Sequence, residues 1–308
     1  MAAEPGAPVV VGVDGSMSSY AAVDWGVCEA QRRTAPLRLV HVVGRSDGSA
    51  TTGSAPLGSA PGRAAVRARR VAATDEITDR AEAYAHACVS DVAVTAEVLV
   101  GEPAGRLADE SARAAVVAVG DHGLHGLRSL LAGSVPIRLT AAVRCPLVVV
   151  RPHVAPLADD LDPHHGVGRV VVGVDGSALG EAALDFAFEE AELRGVGLTA
   201  VHAWRFPVAA GTGDMLFAVY ERVDLADGDQ RLLTEVLAPF RERYPGVPVR
   251  PVSVQAVSPA AALIHESGGA ELLVVGSSGR GGLAALLLGS VSHAAIHHAF
   301  CPVAVIHR

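Results

Sequence analysis

The sequence contains no lysine and no asparagine, so all 25 of its basic residues other than histidine are arginines. A lysine Schiff base, a P-loop lysine and a kinase-type lysine are thereby excluded. Aromatic residues make up only 4% of the chain. Cysteine is limited to Cys28, Cys88, Cys145 and Cys301, which show no CxxC spacing and no dense disulfide framework. They read as reduced, mostly buried thiols of a cytoplasmic protein. No apolar run is long enough to span a membrane. Met1–Pro8 lacks the basic segment and apolar run of a secretory signal, so none is expected. The formal net charge of −8 argues against nucleic-acid binding, which normally needs a basic face. Half of the 308 residues are apolar and 19% are charged, which fits a globular chain long enough for two ordinary domains.

Against these absences stands a repeat. The octapeptide VVVGVDGS occupies Val9–Ser16 and recurs letter for letter at Val170–Ser177. Further on, Gly120, Gly123, Gly133, Ser134, Val135, Cys145 and Pro146 recur as Gly276, Gly279, Gly289, Ser290, Val291, Cys301 and Pro302. The chain is a duplicated domain. The join falls in Arg151–Gly168, which is rich in Pro and Asp and has no apolar period. This places a first domain over 1–152, a linker over 153–168 and a second domain over 169–308. Arg45–Gly62 and Pro207–Asp214 read as loose excursions at corresponding places in the two copies.

Within each copy, Val-rich runs alternate with longer amphipathic ones. The first copy is expected to place strands at Val9–Val13, Leu37–Val42, Val94–Val100, Ala115–Val119 and Leu147–Val150. Its helices are expected at Ser18–Arg33, Arg63–Ala87, Ala104–Ser111 and Ser134–Val143. The second copy repeats the strands near Val170–Val174, Leu198–Ala203, Val249–Val254, Glu271–Val275 and Val303–Ile306, and places its last helix at Ser290–His298. Nearly continuous apolar strands imply burial on both faces, as in a parallel sheet. The fold class is therefore α/β: two tandem doubly wound, Rossmann-like domains, each a five-stranded parallel sheet flanked by helices.

In such a sheet the ligand crevice lies beyond the carboxyl ends of the strands, where strand order reverses. Asp14 and Asp175 follow the first strand of each copy, and Gly120 and Gly276 follow the fourth. From these glycines both copies read Gly-x2-Gly-x9-Gly-Ser: Gly120, Gly123, Gly133 and Ser134, then Gly276, Gly279, Gly289 and Ser290. The first glycine pair lets backbone N–H groups approach a ligand closely. The Gly-Ser pair opens a helix whose free N–H groups and positive dipole end suit phosphate. An acid at a strand end suits ribose hydroxyls. A plainer reading has each Asp-Gly-Ser only making a turn or capping a helix. The twofold recurrence of both motifs at matching strand ends favours nucleotide binding.

These residues resemble the universal stress proteins, and the resemblance covers nearly the whole chain as two copies. It rests on a first strand ending in VDGS (Val13, Asp14, Gly15, Ser16; Val174, Asp175, Gly176, Ser177), on the Gly-x2-Gly-x9-Gly-Ser spacing, and on Cys-Pro before the last strand. The resemblance implies a fold of the adenine nucleotide alpha hydrolase-like type. It also implies ATP or another adenine nucleotide as ligand, with or without Mg2+. Asp14 or Asp175 would contact the nucleoside and the backbone of Val42 or Ala203 would border adenine. The glycine loop with Gly133, Ser134 and Val135, or Gly289, Ser290 and Val291, would wrap the ribose and phosphates. Association through the last strands and a homodimer are implied as well. The copies differ at the rim: Pro136 faces Ser292 in the alignment of the repeats, Gly101 faces Val257, and Leu124 faces Arg280. His122 and His125 flank the first glycine loop.

Other clusters carry less. His293 and His297 are four apart on the final helix, with His298 adjacent, but no HExxH or third ligand accompanies them, so no metal site is expected. His164 and His165 read as solvated linker residues, and Trp204 as core or rim packing beyond the second strand. The expected function is a nucleotide-binding stress-response or regulatory module without catalytic residues. The alternatives are an ATP-hydrolysing enzyme and a nucleotide-free scaffold, with a flavoprotein weaker still. No GxxxxGK[ST], kinase signature or SGGxDS loop supports the enzyme.

Overall fold

A computed structural model describes residues 6–44, 61–121, 135–152, 166–204, 231, 233–256, 258–278 and 288–307; within 61–73 it describes the backbone alone. The expected excursions at Arg45–Gly62 and Pro207–Asp214, His164, His165 and most of the linker lie wholly or largely outside these residues. The chain divides into two compact units, the first over Ala2–Cys145 and the second over Pro146–Arg308.

In the first unit, β1 (Val9–Gly12) leads into helix α1 (Met17–Arg33), then β2 (Leu37–Val43) and α2 (Pro61–Cys88). β3 (Val94–Val100), α3 (Pro103–Glu110), β4 (Val116–Gly120) and α4 (Val135–Leu139) complete it. The strand order is β3-β2-β1-β4, and all pairs are parallel. Val9, Val11, Leu37, Leu39, Val116 and Val117 are fully enclosed, as strands covered on both faces require. Ser16 caps α1, its side chain accepting from the Ser19 amide, and the helix ends at Thr34 in the left-handed conformation with φ 50°.

The second unit begins with β5 (Leu147–Val150). It continues through β6 (Arg169–Gly173), α5 (Ala178–Arg194), β7 (Gly197–Trp204), α6 (233–243), β8 (Val249–Gln255), α7 (Pro259–Glu266), β9 (Leu272–Gly276), α8 (Ser290–His298) and β10 (Val303–Ile306). Its order β10-β9-β6-β7-β8 is parallel throughout, and β5 adds to β10 antiparallel, with Val303 opposite Val149. The expected pairing of the two last strands is thus present, and it makes the sheet of this unit mixed. Ser177 caps α5 by accepting from the Gly180 amide, and Gly195 ends it at φ 66°.

Two helix-pair positions recur at the same places in both copies. Glu29 is fully enclosed against Arg33, and Glu190 against Arg194, one turn before each helix ends. In each copy a carboxylate buried this completely is met by an arginine four residues on.

Several expected bounds shift. β7 runs through Trp204, since Gln255 pairs with Trp204 and the Ala256 amide donates to its carbonyl at 3.0 Å. The helix expected over Ser134–Val143 is regular only over Val135–Leu139. There Thr140 turns its hydroxyl back to the Ile137 carbonyl at 2.6 Å, and the next two amides, of Ala141 and Ala142, bond only three residues back. The cysteines also depart from expectation. Cys301 is buried and Cys145 half-buried, but Cys28 and Cys88 are exposed.

Candidate functional site

In the first unit strand order reverses between β1 and β4, and in the second between β6 and β9. Doubly wound sheets open their ligand crevice at this point. At the end of β1 the chain makes a tight turn: the Ser16 amide donates to Asp14 Oδ1 at 3.0 Å, and Gly15 takes φ 82°. At the end of β6 the Ser177 amide and hydroxyl donate to Asp175 Oδ1 at 2.9 and 2.7 Å, and Gly176 takes φ 71°. Positive φ at this position explains glycine after each Asp. Each carboxylate thus braces the turn that aims the helix. The capping reading of Asp-Gly-Ser is therefore realised, and both acids stay at the mouth of the crevice, half-buried.

Both turns have a second brace that sequence reasoning missed. His41 Nδ1 lies 2.7 Å from the Val13 carbonyl, and His202 Nδ1 lies 2.7 Å from the Val174 carbonyl. A carbonyl can only accept, so Nδ1 carries the proton in each ring. These buried imidazoles tie the end of the second strand to the residue just before each Asp. Their signal in the sequence was the repeat itself, since both histidines hold the same place in the two copies.

The crevice of the first unit has a floor made by Gly120. A Cβ on this residue would lie 2.6 Å from the backbone carbon of Ser18, in the first turn of α1, so only glycine lets β4 approach that helix. Beside it, Ser18 Oγ donates to Asp121 Oδ1 at 2.7 Å. In the second unit the matching contact is apolar, with Leu179 3.1 Å from the Cβ position of Gly276. Ser277 stands where the first copy has Asp121.

The remaining site residues fall as follows. Val42 and Ala203 sit half-buried near the ends of β2 and β7, paired with Leu99 and Val254. The Gly101 amide donates to the Val43 carbonyl at 2.9 Å, and the Arg106 side chain packs against it, Nε donating to Val100 O at 3.0 Å. Val135 opens α4. In the second unit the Gly289 amide donates to the Ser277 carbonyl at 2.8 Å, which draws the start of α8 onto the end of β9. The Ser292 hydroxyl lies 3.1 Å from the Ser277 carbonyl and 3.0 Å from that of Gly289, so its proton is used within the protein. Ser290 and Val291 lie in the first turn of α8, a nine-residue helix with Gly289 at its cap. His122, Gly123, Gly133, Ser134, Val257, Gly279 and Arg280 lie outside the described residues, as does His125.

What converges can therefore be stated for each copy. In the first, Asp14, Gly15, Ser16, Val42, Gly101 and Gly120 gather around the strand ends. In the second, Asp175, Gly176, Ser177, Ala203, Gly276 and Gly289 through Ser292 do so. Carboxylates lie at both sets of strand ends and a helix start at the second, and such groups suit hydroxyls and anions. The His293 and His297 rings lie 4.7 Å apart, but no group of three or more His, Cys, Asp or Glu suited to a metal ion occurs among the described residues. No helix among the described residues is long and apolar enough to cross a membrane.

The model of the universal stress protein family matches residues 7–151 and again 166–307. A universal stress protein of Mycobacterium tuberculosis is 39% identical over 304 residues, covering 96% of each chain. One from Mycolicibacterium smegmatis is 35% identical over 301 residues, covering 97% of this chain and 96% of its own. Among solved structures, a universal stress protein from Archaeoglobus fulgidus superposes with a TM-score of 0.64 at 18% identity, covering 98% of this chain and 96% of its own. At that identity the likeness concerns the fold.

Proposed function

The chain belongs to the universal stress protein family, and from that premise we propose that each of its two repeats binds an adenine nucleotide, ATP foremost. The nucleotide lies in the crevice beyond Asp14 or beyond Asp175. The protein acts as a regulatory module whose occupancy alters its conformation or its choice of partner, without turnover. The observation that carries this reading is the twin crevice: an aspartate at the mouth, braced by a buried histidine, opposite a glycine that lets two elements approach. One such turn is ordinary. Two, with matching bonds to within 0.1 Å for Asp14 and Asp175, argue for a shared ligand rather than a shared accident.

In this reading the Asp carboxylate accepts from ribose hydroxyls. The amides at the start of α8, and those of the matching segment in the first repeat, meet the phosphates. Mg2+, where present, would travel with the phosphates. A homodimer belongs to the same proposal, and sedimentation of the purified protein tests it.

Small molecules released on denaturing the purified protein should include ATP or a related adenine nucleotide by mass spectrometry. Asp14→Ala combined with Asp175→Ala should weaken ATP binding about 10- to 100-fold, the worth of a hydrogen bond to a charged group. Circular dichroism should be unchanged. A folded double variant with wild-type affinity would end the assignment of the site, and rapid multiple turnover to ADP would replace the module with an enzyme.

A further inference from the structure

Tyr20, Asp24 and Cys28 are spaced four apart on α1, and Tyr84 and Cys88 four apart on α2, so each set lines one face of its helix. The two faces meet. The rings of Tyr20 and Tyr84 pack edge to face with centroids 5.2 Å apart. Tyr84 Oη donates to Asp24 Oδ1 at 2.7 Å, and Cys88 Sγ lies 3.8 Å from the same oxygen. Contacts advance in step along both helices, from Tyr20 with Tyr84 to Asp24 with Tyr84 and Cys88. Cys28 lies one turn beyond Asp24 on the same face of α1.

The surroundings separate these thiols from the other two. Both are exposed. Burial pushes Cys145 and Cys301 up to about 12, so they keep their protons and stay inert. Cys88 is raised less, by burial and then by the Asp24 carboxylate, and the charge on Cys28 also acts on it.

We propose that Cys28 and Cys88 form a peroxide-sensitive thiol pair that closes to an intramolecular disulfide between α1 and α2. The Cys28 thiolate attacks one oxygen of hydrogen peroxide, the O–O bond breaks, and hydroxide leaves, giving a sulfenic acid. The Cys88 sulfur then attacks the Cys28 sulfur while its proton passes to Asp24 and on to water. The S–S bond forms, the S–O bond breaks, and a second hydroxide leaves. In total, two thiols lose two electrons and two protons, and one peroxide becomes two waters. The closed bond holds α2 in place, and Ile77 of that helix lies 3.5 Å from the Cβ position of Gly15, next to Asp14.

The test uses the full chain treated with hydrogen peroxide, then alkylated and digested with trypsin under non-reducing conditions. The expected product is Met1–Arg32 linked to Ala81–Arg106, lighter than the two free peptides by two hydrogens and separated again by dithiothreitol. Cys28→Ser and Cys88→Ser should each abolish it, with circular dichroism unchanged. Wild-type protein requires no variant to fold, so its own product decides. Free alkylated thiols at both positions after peroxide treatment would overturn the proposal. So would separate sulfinic acids, or a link that runs only between two chains.

Discussion

His41 and His202 each commit one ring nitrogen to a backbone carbonyl, whereas Nε2 of His307 is buried with no partner among the described residues. The consequence for stability is specific to His307. Burial lowers its pKa from 6.5 to about 4, because charging the ring in an apolar setting is costly. In the unfolded chain the ring takes a proton near its ordinary value; in the folded chain it resists until much lower pH. The stability that the neutral ring contributes is therefore fully present above about pH 6.5 and is lost as pH falls towards 4. Linkage puts the loss at about 2 kcal/mol by pH 5. His307→Phe should flatten this dependence while retaining the volume of the side chain. Urea unfolding at pH 7.5 and pH 5 measures it, and parallel losses in wild type and variant would show that His307 is not the group responsible.

At the scale of the element, the two copies end their first long helix differently. α1 closes at Thr34 with φ 50°, and α5 closes at Gly195 with φ 66°. A β-branched residue in the left-handed region is strained, and glycine is not. Thr34→Gly should stabilise the first repeat by about 1 kcal/mol, the entropy cost of glycine in the unfolded chain being smaller than the relieved strain. A rise in the urea midpoint checks this; a fall would mean that Thr34 holds its conformation at no cost. The elements themselves were largely legible in the sequence. Valine runs and the repeated octapeptide placed every strand to within a residue or two, since a buried parallel strand leaves a nearly unbroken apolar signature. The early end of α4 was not legible, because it depends on where the Thr140 hydroxyl turns. Nor was the exposure of Cys28 and Cys88, which is set by the face each helix presents. The places of Asp14 and Asp175 just after β1 and β6 were legible, but the histidines behind them resembled ordinary core positions. Only the bond to the preceding carbonyl reveals their part in the turn.

Across the whole molecule, the duplicated sites are alike in architecture and unlike in charge. Beside Gly120 the first repeat carries Asp121, bonded to Ser18; beside Gly276, which packs on Leu179, the second carries Ser277. The start of α4 has Pro136 where α8 has Ser292, so the first repeat also offers one fewer amide. If both crevices take ATP, as proposed above, the phosphates of the first meet an additional carboxylate. At an effective dielectric near 20 and several ångströms of separation, that repulsion is about 1–2 kcal/mol, or roughly tenfold in affinity. Calorimetric titration with ATP should then resolve two unequal sites, the weaker belonging to the first repeat. Mg2+ should narrow the gap by screening Asp121 from the phosphates. Asp121→Ser should strengthen the weaker site about tenfold and leave the stronger one as it was. Equal affinities in the wild type, or a variant that changes neither constant, would mean that the phosphate end lies beyond the reach of Asp121.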